Sequence, residues 1–119
     1  MSNLGVVRRI ATGLPEVEEA PGERVSWRVR GKLFAWEARE RDGGGLAVRV
    51  DREEKRLILE GGSDAYFTSP HYDGYPAVQI DLDRIDESEL AERIEEAWLI
   101  QAPKRLAAEY LAQRTRTGT

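Results

Sequence analysis

The chain has 119 residues, 34% of them charged, with acids outnumbering bases to give a net charge of −4 and with no cysteine. This length suits one domain that hides about two-thirds of its unfolded-chain surface without a disulfide or metal, and the missing thiols exclude disulfides, thiolate zinc sites and cysteine nucleophiles. The acid excess argues against a phosphate-backbone binder unless bases gather locally; no apolar run approaches the ~20 residues of a membrane span, and Met1–Leu4 opens no secretory signal, so a cytoplasmic protein without a membrane partner is expected.

Ser2 or Asn3 caps a first predicted helix, with Leu4, Val7, Ile10 and Ala11 at helical spacing and a left-handed glycine exit at Gly13 before Pro15. The acidic stretch Glu16 to Glu23 reads as a connection. From Arg24 the period becomes two: Val25, Trp27 and Val29 face one way, Arg24, Ser26 and Arg28 the other. Arg30-Gly31 turns into a second strand, Lys32 to Arg39, whose Leu33-Phe34-Ala35-Trp36 segment is continuously apolar. Glu40 to Gly45, with three glycines, predicts a flexible hairpin loop before a third strand alternating at Leu46, Val48 and Val50. Asp51 with Glu54 caps a short helix carrying Leu57 and Ile58 that stops at Gly61-Gly62. A brief strand over Ala65 to Thr68 and a clear one through Val78, Ile80 and Leu82 flank a loop. Asp86 with Glu89 then opens a long helix whose Leu90, Ile94, Ala97, Trp98 and Gln101 share a face. Pro103 ends or kinks it, and Lys104 to Gln113 is helical again.

These elements predict an α+β fold in which an antiparallel sheet carries helices packed on one face and leaves the other wet. One domain is expected over residues 1–114, with a flexible tail over 115–119. Trp27, Trp36 and Trp98 all sit on apolar faces, which assigns them to the core.

The densest motif is Ser69-Pro70-His71-Tyr72-Asp73-Gly74-Tyr75-Pro76, which holds the single histidine and marks an ordered loop. Together with Phe67-Thr68 before it and Ala97-Trp98-Leu99-Ile100-Gln101-Ala102-Pro103-Lys104-Arg105-Leu106, it closely resembles the MmcQ/YjbR family of small bacterial proteins. The resemblance covers nearly the whole chain, weakly in the first helix and strongly from Tyr66 to Leu106. It implies a compact α+β domain of CyaY-like arrangement and DNA binding through a double-wing motif. It brings no catalytic residues.

His71, with Asp73, Tyr66, Tyr72 and Tyr75, has the residue types of an acid–base site. No nucleophile in a recognisable setting accompanies it, since Ser63 and Ser69 lack a GxSxG elbow, and a structural histidine is the expectation. Asp81, Asp83, Asp86 and Glu92 imitate a calcium loop, but its sixth position needs glycine and is Asp86. An acidic ridge for iron would rest on Glu16, Glu18, Glu19 and Glu23, which sit in a connection. Neither Gly43-Gly44-Gly45 nor Gly61-Gly62 precedes the Lys-Ser/Thr of a phosphate loop. No metal, cofactor or catalytic residue is therefore expected.

Two functions from different classes remain. One is a non-enzymatic module that binds DNA through a basic sheet face (Arg24, Arg28, Arg30, Lys32, Arg39, Arg41 and Arg49), with the hairpin from Arg41 to Gly45 as a wing. Glu37, Glu40 and Asp42 interleave with these bases, so a merely solvated face competes with that reading. The other function is a small-molecule or protein-binding domain using Tyr66, His71, Tyr72 and Tyr75 of the aromatic loop. A monomer is expected in either case.

Overall fold

Asn3 is the residue that starts α1 (Leu4–Thr12): its side-chain oxygen accepts the Val6 amide at 3.0 Å, and Val7 and Ala11 face inward. The computed structural model describes residues 1–117, with side chains described as far as Arg114. Gly13 leaves the helix at φ −77°, so the left-handed turn expected there is absent. The positive φ falls instead on Glu16 (56°), whose carboxylate holds Arg30, itself at 50°. Such conformations cost a non-glycine residue about 1–2 kcal/mol, and here the two are joined by an ion pair.

The stretch expected to be a connection forms an edge strand, β1 (Val17–Ala20). It pairs because its alternation is real although half its members are acids: Val17 and Glu19 turn inward. The Glu19 carboxylate accepts the Trp27 indole N–H at 2.9 Å and the Arg8 guanidinium at 3.0 Å. β2 (Ser26–Val29), β3 (Lys32–Glu37) and β4 (Leu46–Arg49) follow, then α2 (Arg52–Glu60), β5 (Tyr66–Phe67) and β6 (Ala77–Ile80). The strands form one antiparallel sheet in the order β1-β2-β3-β4-β6-β5.

One face of the sheet carries Trp27, Val29, Phe34, Leu46, Val48, Val78 and Ile80, all fully buried. Against them pack α1 and α3 (Glu87–Gln101), the latter through Leu90, Ile94, Ala97 and Trp98. Asp86 caps α3 by accepting the Glu89 amide at 2.8 Å. Gln101 donates to the Leu33 carbonyl at 2.8 Å, which ties the helix end to β3. After Pro103 the chain re-forms as α4 (Lys104–Thr117), where Tyr110 packs its ring edge on Trp98 at 5.0 Å. The helix runs on through Arg114 to Thr117, past the expected start of a tail. The last two positions of that tail, 118 and 119, lie outside the described residues.

The hairpin between β3 and β4 is not the loose loop its glycines suggest. Glu40–Asp42 make a 3-10 turn, and Gly43, Gly44 and Gly45 all take positive φ. At Gly45 a Cβ would lie 2.5 Å from the Ile80 carbonyl oxygen, so no side chain fits.

Candidate functional site on the second sheet face

Alternation from the core residues places Ser26, Trp36, Ala47, Gln79 and Phe67 in one transverse row on the second face of the sheet, each the register partner of the next. Arg28 and Arg49 stand on the same face. This face is not simply wet. The segment from Ser69 to Pro76 folds back over it, and Tyr72 buries its ring against Ala38, Ala47 and Trp36. Trp36 therefore belongs to this second cluster rather than to the main core expected for it. The cause is a β-bulge: Arg28 pairs with Leu33 but Trp27 with Ala35, so Phe34 is the extra residue. A continuous apolar run is what a strand covered on both faces requires.

The aromatic loop is held by directed bonds. The Trp36 indole N–H donates to the Tyr72 hydroxyl at 2.9 Å. Tyr72 and Tyr75 donate their amides to the Ser69 and Tyr72 carbonyls at 2.8 and 2.9 Å, giving two consecutive turns. Lys55 of α2, only 7% exposed, donates to the carbonyls of Tyr72 and Tyr75 at 2.5 and 2.8 Å. Burial pulls its pKa below the ordinary lysine value, with Asp73 opposing and Arg52 assisting. Arg52 adds a bond to the Gly74 carbonyl at 2.9 Å. From below, the fully buried Gln79 accepts the Ser69 hydroxyl at 2.8 Å and donates to the Asp42 and Gly44 carbonyls at 2.7 and 3.0 Å. One amide thus joins the aromatic loop to the glycine hairpin.

Tyr75 stands at the outer end of this construction, 42% exposed, with edge contacts to Trp36 at 6.1 Å and Tyr72 at 6.2 Å. The Arg49 guanidinium lies over its ring, 5.6 Å from the centroid, a cation–π geometry. Arg49 Nε is buried and has no hydrogen-bond partner among the described residues. His71 is exposed, with its ring edge-on to Tyr72 at 4.7 Å.

The structure divides the residues that the sequence nominates. Tyr66 leaves the aromatic group, because strand alternation turns it to the helix side. There its hydroxyl donates to Glu89 and accepts from Arg93 at 3.0 Å, and burial first, then that carboxylate, push its pKa up to about 12. Of the bases, Arg28 and Arg49 share the second face, Arg24 is exposed just before β2, and Arg41 is exposed at the hairpin. Lys32 pairs in register with Val29 and so has the opposite parity. Arg30 turns toward α4 beside Pro103, Arg105 and Glu109, and Arg39 lies 3.4 Å from Asp42. No single stripe forms.

What the free bases share is the lack of a counter-ion. Among the described residues, Arg24, Arg28, Arg41, Arg49 and Arg52 have no carboxylate oxygen within 4.0 Å, whereas every other described arginine has one. Sequence reasoning found four of these five. It missed Arg52, together with the supporting Lys55, Gln79 and Trp36. Gln79 alone left a signal, as a polar residue inside an apolar strand.

Other concavities carry less chemistry. A depression of about 220 Å³ beside the loop is lined by Arg52, Lys55, Arg56 and Asp73, but Lys55 is engaged by loop carbonyls and Arg56 by Glu53 and Glu60. A cavity of about 420 Å³ between the end of α1 and α4 holds none of the nominated residues. The calcium-like acids are used locally: Asp81 accepts the Asp83 amide at 3.1 Å and Asp86 caps α3. No described helix is long and apolar enough to cross a membrane.

A profile of the YjbR family matches residues 12–100, which takes in the whole sheet and most of α3. The chain belongs to the YjbR family. This YjbR chain is 42% identical to uncharacterized proteins of Mycobacterium bovis and Mycobacterium tuberculosis over 123 aligned positions, covering 89% of this chain and 93% of each relative. Its fold is similar to the crystal structure of a Deinococcus radiodurans protein with a DUF419 domain, at a TM-score of 0.69 and 18% identity over 84% of this chain and 78% of that one. The fold class expected from the YjbR resemblance is the fold the chain has.

Proposed function

We propose that this YjbR domain is a non-enzymatic module that binds nucleic acid through the second face of its sheet. The observation that carries the reading is the set of arginines without counter-ions, Arg24 just before β2, Arg28 on β2, Arg41 in the hairpin and Arg49 on β4, the last beside an aromatic surface. A guanidinium held in a carboxylate pair is neutralised before a phosphate arrives; these are not. The net charge of −4 weakens long-range attraction to phosphate and is unchanged by ion pairs elsewhere; the reading rests on the local lack of carboxylates around these guanidiniums. The 3-10 turn carrying Arg41 supplies the wing.

A non-enzymatic role is supported by His71, which has an aromatic edge beside it and no described carboxylate to orient it as a base. The small-molecule alternative has weaker support, since in the loop-side depression Lys55 and Arg56 are already engaged and Arg52 donates to the Gly74 carbonyl. Titration of a labelled oligonucleotide against rising salt tests the proposal. Log affinity should fall linearly with log salt, by about 0.9 per phosphate contacted on a duplex and 0.7 on a single strand. Replacing Arg28 and Arg49 together with alanine should flatten that slope by the share of about two phosphates. Absence of binding at low salt, or an unchanged slope in the double variant, refutes the assignment.

A further inference from the structure

We infer that the nucleic acid taken by this face is single-stranded, with a base stacked on Tyr75 and its flanking phosphates on Arg28 and Arg49. The inference rests on the binding reading above and specifies its ligand. Tyr75 has the features of a platform: the residue is 42% exposed, while its backbone is fixed on both sides, the amide donating to Tyr72 and the carbonyl accepting from Lys55. In a duplex the faces of the bases are covered by their neighbours, so an exposed ring on a loop lying over a sheet has nothing there to stack on. An unpaired base presents a free π-face, and such stacking is worth about 1–3 kcal/mol per base.

The position of the cations points the same way. Arg49 does not project from a rim; it lies half-buried with its guanidinium over the Tyr75 ring, and its Nε has no hydrogen-bond partner among the described residues. Arg28 is also half-buried, and among the described residues its side chain is bonded only to the Ser26 hydroxyl at 3.2 Å. The two stand on β2 and β4, separated by β3, which places their backbones about 10 Å apart. A flexible strand can lay phosphates on both sites on either side of a stacked base. The phosphate rails of a duplex are fixed in spacing and lack this freedom to reach a half-buried Arg49.

Fluorescence anisotropy with oligothymidylate of about 12 nucleotides and a duplex of equal length, at about 50 mM salt, decides the matter. The single strand should bind more tightly and quench the emission of Trp36, which touches Tyr75. Tyr75→Ala should weaken single-strand binding by roughly 5- to 100-fold, and Tyr75→Phe should retain it. Because the alanine also removes packing on Trp36, Tyr75→Leu gives a variant of similar bulk without a π-face, and it should lose affinity as the alanine does. Duplex binding equal to or tighter than single-strand binding, or an unchanged affinity in Tyr75→Leu, overturns this inference while leaving nucleic-acid binding in place. Failure of both oligonucleotides to bind overturns the two together.

Discussion

Lys55 lies one turn ahead of Ile58 on α2, and the two divide the work of that helix: Ile58 enters the main core, and Lys55 reaches the aromatic loop. A buried ammonium is costly unless its donors are used, and here they are a second donor to the Tyr72 and Tyr75 carbonyls, which also accept backbone amides. The sign of its pKa shift agrees with burial as the leading cause. Replacing Lys55 by methionine keeps the length of the side chain and removes the donors. The carbonyls of Tyr72 and Tyr75 keep their backbone donors, the Tyr75 and Ala77 amides at 2.9 and 2.8 Å, and lose the lysine, so the loss is that of two charge-assisted hydrogen bonds, about 1.5–3 kcal/mol each at most. We expect a lower urea midpoint and a red-shifted Trp36 emission as the Tyr72 ring loosens. A variant with the wild-type midpoint and spectrum would show that the loop stands without this lysine.

At the scale of elements, α3 is fixed at both ends by polar bonds, Asp86 to the Glu89 amide and Gln101 to the Leu33 carbonyl. Asp86→Ala should cost about 1 kcal/mol, the usual value of an N-cap, read as a drop in the chemical-denaturation midpoint without a change of slope. An unchanged midpoint would mean that packing alone holds the helix start. Caps of this kind are local, which is why Asp51 and Asp86 were legible in the sequence, and Asn3 as one of two candidates with Ser2, as were β2, β4, β6 and the break at Pro103. What was hidden depends on partners distant in the chain. β1 was disguised by glutamates whose use appears only when Trp27 and Arg8 converge on Glu19. The side taken by Trp36 depends on a bulge that no propensity marks. The placement of the aromatic loop over the second face needs Lys55 and Gln79, which are distant in sequence from much of what they hold. The candidate site was thus half visible: its free arginines and tyrosines could be named, but not that Tyr75 and Arg49 meet, or that Tyr66 and Arg30 lie elsewhere.

For the molecule as a whole, the two phenols on the helix side give the fold a sensitivity to alkali. Burial, then the adjoining carboxylates Glu89 and Glu95, raise the pKa values of Tyr66 and Tyr110 to about 12 from 10.0. The neutral hydroxyl is the form the folded state favours. Its contribution is therefore complete below pH 10, where the unfolded chain is also neutral, and is lost as pH rises through about 12. The thermal midpoint should decline across that interval, and the decline should be shallower in Tyr66→Phe. An identical decline in that variant would assign the alkaline sensitivity to other groups.

The sheet ends in short strands on both sides: four residues at Val17–Ala20, with Glu18 outward, and only two at Tyr66–Phe67. A brief, negatively charged border and a nearly absent one are poor templates for a further strand. Growth of the sheet, whether by a second copy or by a docking peptide, is discouraged at either margin. Recognition is left to the broad surface between them, where side chains rather than backbone amides choose the partner.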